Sequence, residues 1–116
     1  LVLAGYSNHL ELTQYLLDHG ADINAVDAAG NTALMGVCFK GYLNIAKALI
    51  ENGAEVDVIN KTGATALIYA AMFNQLKIVK VLLGAGADKT IEDAQGNTAA
   101  TNAKLKGLLD IAKILE

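Results

Sequence analysis

The sequence lacks the residues on which several classes of protein depend. It contains no proline, no tryptophan and only one cysteine among 116 residues. The single cysteine, Cys38, cannot form an internal disulfide, which fits a reducing compartment, and we expect a cytoplasmic protein. Two histidines and one cysteine give no metal-site spacing. We therefore expect no metal and no other cofactor.

Clustered basic charge and long apolar runs are also missing. Nine basic residues are scattered among twelve acidic ones, and the net charge is −3. Binding to phosphates needs clustered Lys and Arg, so we expect no nucleic-acid partner. The longest uncharged run, 62–76, has 15 residues, whereas a membrane-spanning helix needs about 20, so we expect no membrane insertion. The 53% apolar content excludes a disordered chain.

What the sequence does contain is a repeat of 33 residues. Glycine, threonine and acidic residues recur at this interval: Gly20, Gly53 and Gly86; Gly30, Gly63 and Gly96; Thr32, Thr65 and Thr98; Asp22, Glu55 and Asp88. A period of this length is typical of stacked supersecondary units and not of heptads.

The third copy of the repeat shows the unit most clearly. Asn60 and Gly63 occupy the first and fourth positions of a type I turn, and the Thr65 hydroxyl can cap a helix. The pattern predicts a short buried helix over 66–73 and an amphipathic helix over 75–83, which a following glycine ends. Neither helix is long enough to be stable alone in water, so each unit needs neighbours.

These residues resemble ankyrin repeats. The likeness lies in Asp-Ala-Ala-Gly-Asn-Thr-Ala-Leu at 27–34 and in Gly-Ala-Glu-Val-Asp at 53–57. It implies an all-α repeat solenoid, a right-handed stack of helix-turn-helix units joined by short β-hairpin or turn loops. One departure recurs: the family's Thr-Pro-Leu-His is Thr-Ala-Leu-Met at 32–35, Thr-Ala-Leu-Ile at 65–68 and Thr-Ala-Ala-Thr at 98–101. Alanine in place of proline leaves a freer unfolded chain, so each site forgoes about 0.4–1 kcal/mol.

The repeat predicts one ankyrin-like domain over 1–116. Its units are a partial one at 1–26, then 27–59, 60–92 and 93–116. In the last unit Lys104 and Glu116 replace small or apolar residues of the earlier units. Polar terminal units suit an exposed stack end, so we interpret this unit as a C-terminal cap.

The packing side of each second helix can also be predicted. In the first unit it consists of Leu12, Leu16 and Leu17, and in the second of Ile45, Ala46, Leu49 and Ile50. We expect these side chains to be buried between neighbouring elements.

The candidates for chemistry are weak. Ser7 and His9 are the only close Ser/His pair, but residues two apart do not face one another on a helix, and a triad also needs an orienting acid. Cys38 could be a reactive thiol, yet its repeat counterparts are mostly small, which favours a buried core residue. The acids Asp22 and Asp27 lack the glycine and glutamate of a calcium loop, and we expect them to order the hairpin. We expect no enzyme.

One constellation points to a function. A column of large apolar residues, spaced by 33, lies at the ends of the first helices: Tyr6, Phe39, Met72 and Leu105. In ankyrin repeat proteins this place borders the concave groove that holds partners. Exposed apolar columns mark interaction surfaces. The alternative is that the column only fills the seam between helices.

The predicted partner-binding residues are Tyr6, Phe39, Lys40, Tyr69, Met72, Phe73 and Leu105. Lys40 and Phe73 belong to the next column, and Tyr69 is the one large aromatic at its repeat position. We expect a monomer that binds a protein partner, of unspecified identity, through the groove and the hairpin tips. Two alternatives stay open: an intramolecular regulatory or docking domain of a larger enzyme or effector, and a self-assembling scaffold.

Overall fold

The computed structural model describes residues 1–116 and contains eight α-helices and no β-strand. In chain order they are α1 (Val2–Tyr6), α2 (Leu10–Asp18), α3 (Ala33–Lys40), α4 (Leu43–Glu51), α5 (Ala66–Met72), α6 (Leu76–Gly84), α7 (Ala99–Leu105) and α8 (Leu109–Leu115). The predicted all-α repeat fold is confirmed, and turns without strands join its units. None of these helices combines the length and the apolar character that crossing a bilayer requires.

The same hydrogen-bonded turn precedes α3, α5 and α7. Before α5, the Gly63 N–H donates to the Asn60 carbonyl at 3.0 Å. The Asn60 side-chain Oδ1 accepts two more backbone N–H groups, at 3.0 and 2.9 Å. Asp27 and Asp93 accept the equivalent bonds in the second and fourth units. Asp27 therefore orders its turn, as the sequence predicts, and Asp22 Oδ1 accepts the Asn24 N–H at 2.9 Å in the segment before it.

A threonine begins each first helix after the turn, and a glycine ends each second helix before the next unit. Thr65 Oγ1 accepts the Ile68 N–H at 3.2 Å, and the same cap forms in the second and fourth units. Gly86 adopts a φ of +88°, and the N–H groups of Gly86 and Ala87 donate back to carbonyls of α6. This pairing is the Schellman motif, which satisfies carbonyls at a helix end.

The units stack in two layers. The first helices pack in series, α1 on α3, α3 on α5 and α5 on α7, while α2, α4 and α6 form the second layer. The stack extends over 40 × 25 × 22 Å. Residues at equivalent repeat positions are buried together, such as Leu34 and Leu67 of the first helices and Ile45 and Ile78 of the second. The core therefore lies between the layers and is continuous along the stack.

Neighbouring turns are in direct backbone contact. The Lys61 N–H donates to the Ala29 carbonyl, and the Ala94 N–H donates to the Thr62 carbonyl, both at 3.1 Å. The approach is so close that a Cβ added to Gly63 would lie 2.7 Å from the Ala94 nitrogen. A φ of +79° also favours glycine at this position.

The packing prediction is wrong for Leu12. Its side chain is 45% exposed, whereas Ile45, Ile78 and Ile111 at the same repeat position are at most 2% exposed. Ile111 is buried although no unit follows it, so this position faces the preceding unit. Nothing precedes α1 in the structure, and Leu12 consequently faces solvent. Thr13 is buried in α2 instead, and its hydroxyl donates to the His9 carbonyl at 2.7 Å.

The polar substitutions in the fourth unit pair with one another. Lys104 Nζ lies 2.8 Å from Glu116 Oε1, with both side chains about half exposed. The Lys104 ammonium lowers the pKa of the Glu116 carboxyl below its ordinary value. These two side chains thus remain solvated at the end of the stack, and the interpretation of this unit as a cap stays a prediction.

Candidate functional site

Four aromatic side chains of the first three units form a connected group, the aromatic patch: Tyr6, Phe39, Tyr69 and Phe73. The Tyr6 and Phe39 ring centroids lie 6.2 Å apart with their planes at 22°. Phe39 packs edge-on against Phe73 at 4.5 Å and against Tyr69 at 6.3 Å. Each such pair stabilises its arrangement by about 0.5–1.5 kcal/mol beyond area burial. The patch is therefore an ordered surface and not a set of independent side chains.

The aromatic patch is accessible to solvent despite these contacts. Tyr6, Phe39 and Phe73 are 42%, 40% and 38% exposed, and Tyr69 is half-buried. Lys40 Nζ lies 4.9 Å from the centroid of the Tyr6 ring, a distance at which a cation is attracted to the ring electrons. The chain thus presents aromatic faces and one ammonium group on the same surface.

Tyr69 is fixed by a buried amide that the sequence interpretation missed. Asn60, which is 7% exposed, donates through Nδ2 to the Tyr69 hydroxyl and to Asn31 Oδ1, both at 2.7 Å. Its Oδ1 meanwhile holds the turn. The signal in the sequence is small: Asn60 stands where the other units have Asp27 and Asp93, and only an amide can donate from this position.

A cleft of about 230 Å³ lies beside the aromatic patch. Its lining comes from the first three units: Val2, Tyr6, Asp27, Asn31, Met35, Gly36, Phe39 and Tyr69. The cleft exists because Gly36 has no side chain, while Tyr69 and Asn102 occupy the same repeat position in the next two units. The hairpin turn thus contributes polar groups to one side of a cleft whose other side is aromatic.

Comparison with models of protein families finds ankyrin repeats, three copies, in residues 1–93. The chain belongs to the ankyrin repeat family. Ankyrin repeats are generally protein–protein interaction modules and are typically non-catalytic. A comparison with curated proteins finds no match. The segment after residue 93 lies outside the matched region, although α7 and α8 form the same helix pair as the earlier repeats.

The structure does not bring all seven predicted binding residues together. Met72, at the end of α5, is partly buried and packs against the core, so Phe39 meets Phe73 of the next column instead. Leu105 is 70% exposed in the fourth repeat, whereas the four rings belong to the first three units. Met72 and Leu105 are therefore not part of the connected rings, and the Lys40 ammonium lies at the margin of the aromatic patch beside Tyr6.

The remaining residues with reactive or titratable side chains lie in the core or at helix ends of this ankyrin repeat domain. Cys38 has no exposed surface, and burial raises the pKa of its thiol far above the ordinary value, which agrees with a core residue. Ser7 and His9 share no hydrogen bond. His19 Nδ1 lies 2.8 Å from the Tyr15 carbonyl, and its ring stacks on Tyr15 at 4.1 Å, at the end of α2.

Proposed function

We propose that this ankyrin repeat domain binds a partner polypeptide across the aromatic patch, with Lys40, Met72 and Leu105 at its margins. The single observation that supports the proposal is the connected group of four rings, three of them about 40% exposed. Contiguous exposed apolar surface on a folded domain marks an interaction site.

The residue types of the aromatic patch suit the centre of an interface. Aromatic side chains are enriched where binding energy is concentrated, because they bury a large area and have few torsions to fix. Here the rings are already held by one another and by Asn60. A partner would therefore lose little binding free energy to ordering this surface. The small and polar turn residues beside the patch fit a solvated rim.

The experiment compares two double variants that remove similar amounts of exposed apolar surface. Phe39→Ala with Phe73→Ala removes the centre of the aromatic patch, and Leu109→Ala with Ile114→Ala removes side chains of α8 that are 68% and 39% exposed. Proteins retained by the immobilised wild type are identified, purified and titrated against all three forms. Anchoring residues of this kind contribute about 2 kcal/mol or more each, so the first variant should lose binding.

The α8 variant should bind as the wild type does, and circular dichroism should show unchanged helicity in both variants. Equal binding by all three folded forms would contradict the proposed site. If the Phe39/Phe73 variant unfolded, single substitutions would separate packing from binding, since both rings are exposed by about two-fifths.

We propose, as a second candidate function, self-assembly through the apolar face of α2 that is exposed in this structure. Leu12 is 45% exposed at a position that is buried in every other repeat, and Leu10 and Tyr15 of α2 are 40% and 57% exposed. Docking of a second copy here would cover this apolar face. Sedimentation equilibrium tests the candidate: Leu12→Lys should shift an oligomer to monomer, and a monomeric wild type at high concentration would exclude it.

A further inference from the structure

The cleft beside the aromatic patch combines three aromatic walls with one unpartnered carboxylate oxygen. We propose that it receives an arginine side chain of the bound polypeptide, with Asp27 as its charge partner. The proposal rests on the proposed function, because it names the chemistry of the residue that the partner would insert there.

The first argument is that Asp27 has a free oxygen where its counterparts do not. Its Oδ1 accepts the N–H groups of Ala29 and Asn31, both at 2.9 Å, while Oδ2 accepts no hydrogen bond from the chain. At the equivalent place in the fourth repeat, Asp93 Oδ2 accepts from Asn102 Nδ2 at 3.1 Å. In the third repeat the corresponding atom is Asn60 Nδ2, which donates a hydrogen bond to the Tyr69 hydroxyl.

Asp27 has no such hydrogen bond because the residue nine positions later is Gly36, which has no side chain. Positions 27 and 36, 60 and 69, and 93 and 102 are the same pair in three successive repeats. The pair is hydrogen-bonded within the chain in the third and fourth repeats. In the second repeat the carboxylate lines an open cleft instead. The structure thus leaves one acceptor available to a group from outside.

The second argument is the size and the aromatic lining of the cleft. About 230 Å³ is below the roughly 300–1,000 Å³ typical of small-molecule sites, which favours a single side chain over a metabolite. Tyr6 and Phe39 present nearly parallel rings, and Tyr69 stands almost perpendicular to Phe39. Cations are attracted to such ring faces. The Lys40 ammonium already lies over Tyr6, which leaves Phe39 and Tyr69 as the rings that can receive a cation from a partner.

Arginine fits these features better than lysine. A guanidinium is planar, stacks on aromatic rings, and is less strongly hydrated than an ammonium group. It can therefore lie against Phe39 or Tyr69, which line the cleft, while one N–H donates to the free Asp27 oxygen. The domain's net charge of −3 also favours a basic partner during encounter.

The test uses immobilised domain and pools of short peptides with one fixed central residue and random flanks. The central residue is arginine, citrulline, lysine, leucine or phenylalanine, and citrulline serves as the uncharged isostere of arginine. We expect the wild type to retain the arginine pool about tenfold better than the citrulline pool, as a charge-assisted hydrogen bond and a cation–ring contact together allow.

Two variants remove the features that select arginine, and a third is the control. Asp27→Asn removes the charge but keeps the turn, because Asn60 makes the same turn bonds in the third repeat. Gly36→Asn fills the cleft and supplies the amide that Asn102 supplies to Asp93; its Cβ would lie 3.3 Å from the exposed Tyr6 ring. Asp110→Asn removes one charge from α8, away from the cleft.

The Asp27→Asn variant should keep only the part of the arginine preference that the cation–ring contact supplies, and the Gly36→Asn variant should retain arginine and citrulline pools nearly equally. The control should keep the wild-type preference. A wild type that does not prefer arginine over citrulline and lysine would overturn the assignment, as would an unchanged preference in Asp27→Asn. The proposed function would still stand if leucine or phenylalanine pools bound and were lost in the Phe39/Phe73 double variant. If the wild type retained no peptide pool better than the Phe39/Phe73 double variant does, both the proposed function and the arginine assignment would be contradicted.

Discussion

The contact between neighbouring turns gives a sharp test of how the repeats are held together. Gly63→Ala and Gly96→Ala change the same turn position in the third and fourth repeats, and the two glycines have nearly equal φ values of +79° and +80°. The two positions differ in their neighbours. A Cβ on Gly63 would lie 2.7 Å from the Ala94 nitrogen of the next turn, whereas a Cβ on Gly96 would meet only Glu92 Oε2 at 3.9 Å.

This difference in neighbours sets the magnitudes. A left-handed conformation costs alanine about 1–2 kcal/mol, and both variants share this loss. Gly63→Ala must also push two backbones apart, which weakens the bond from the Ala94 N–H to the Thr62 carbonyl, a loss of about 0.5–1.5 kcal/mol. Strain left in the displaced turn adds to it. We expect the unfolding free energy of Gly63→Ala to fall by about 2–4 kcal/mol and that of Gly96→Ala by about 1–2 kcal/mol.

Urea unfolding followed by circular dichroism measures both losses, and equal slopes would show that the same surface unfolds in each form. In a thermal scan, each kcal/mol corresponds to about 4 °C for a chain of 116 residues, so Gly63→Ala should melt well below Gly96→Ala. Equal losses in the two variants would refute the reasoning, because the close approach of the turns would then contribute nothing beyond the φ requirement.

Three further predictions concern single residues. Tyr69→Phe removes one of the two acceptors of the buried Asn60 Nδ2 group and should lower the unfolding free energy by about 1–2 kcal/mol in urea titration. Cys38, buried with a raised pKa, should resist alkylation by iodoacetamide until denaturant is added. Burial raises the pKa of Asp93, but hydrogen bonds from Asn97, Asn102 and Gln95 hold it below the ordinary value. Asp93 therefore stabilises the fold above its unfolded pKa of about 3.9 and loses this effect as the pH falls through its folded pKa, so Asp93→Asn should flatten the acid limb of the stability profile.

The stacking of the repeats and the ends of their helices could be predicted because they depend on interactions within each repeat. A threonine hydroxyl at Thr65 caps a helix whatever lies beyond it, and Gly86 ends one because of its own backbone freedom. The 33-residue period then places equivalent apolar positions against each other. For these features the sequence period and the turn residues were sufficient.

The features that could not be predicted depend on contacts between repeats. Leu12 fits the same apolar pattern as Ile45, but its burial requires a preceding unit that the structure does not contain. Met72 shares a column with Phe39, yet it packs toward the core, and Phe39 meets Phe73 of the adjoining column. A period assigns each residue to a column, whereas the direction of a side chain depends on the sizes of its neighbours.

The pairs formed by positions 27 and 36, 60 and 69, and 93 and 102 show how a repeated scaffold acquires a local site. The turn residue keeps the same backbone bonds in all three repeats, so the turn forms whichever residue stands nine positions later. That second position is consequently free to change: Tyr69 adds a ring to the aromatic patch, Asn102 closes its repeat internally, and Gly36 opens a cleft. The turn is the same in these three repeats, and the residue nine positions later differs. That residue therefore determines whether a repeat adds an aromatic ring, an internal hydrogen bond or a cleft to the surface.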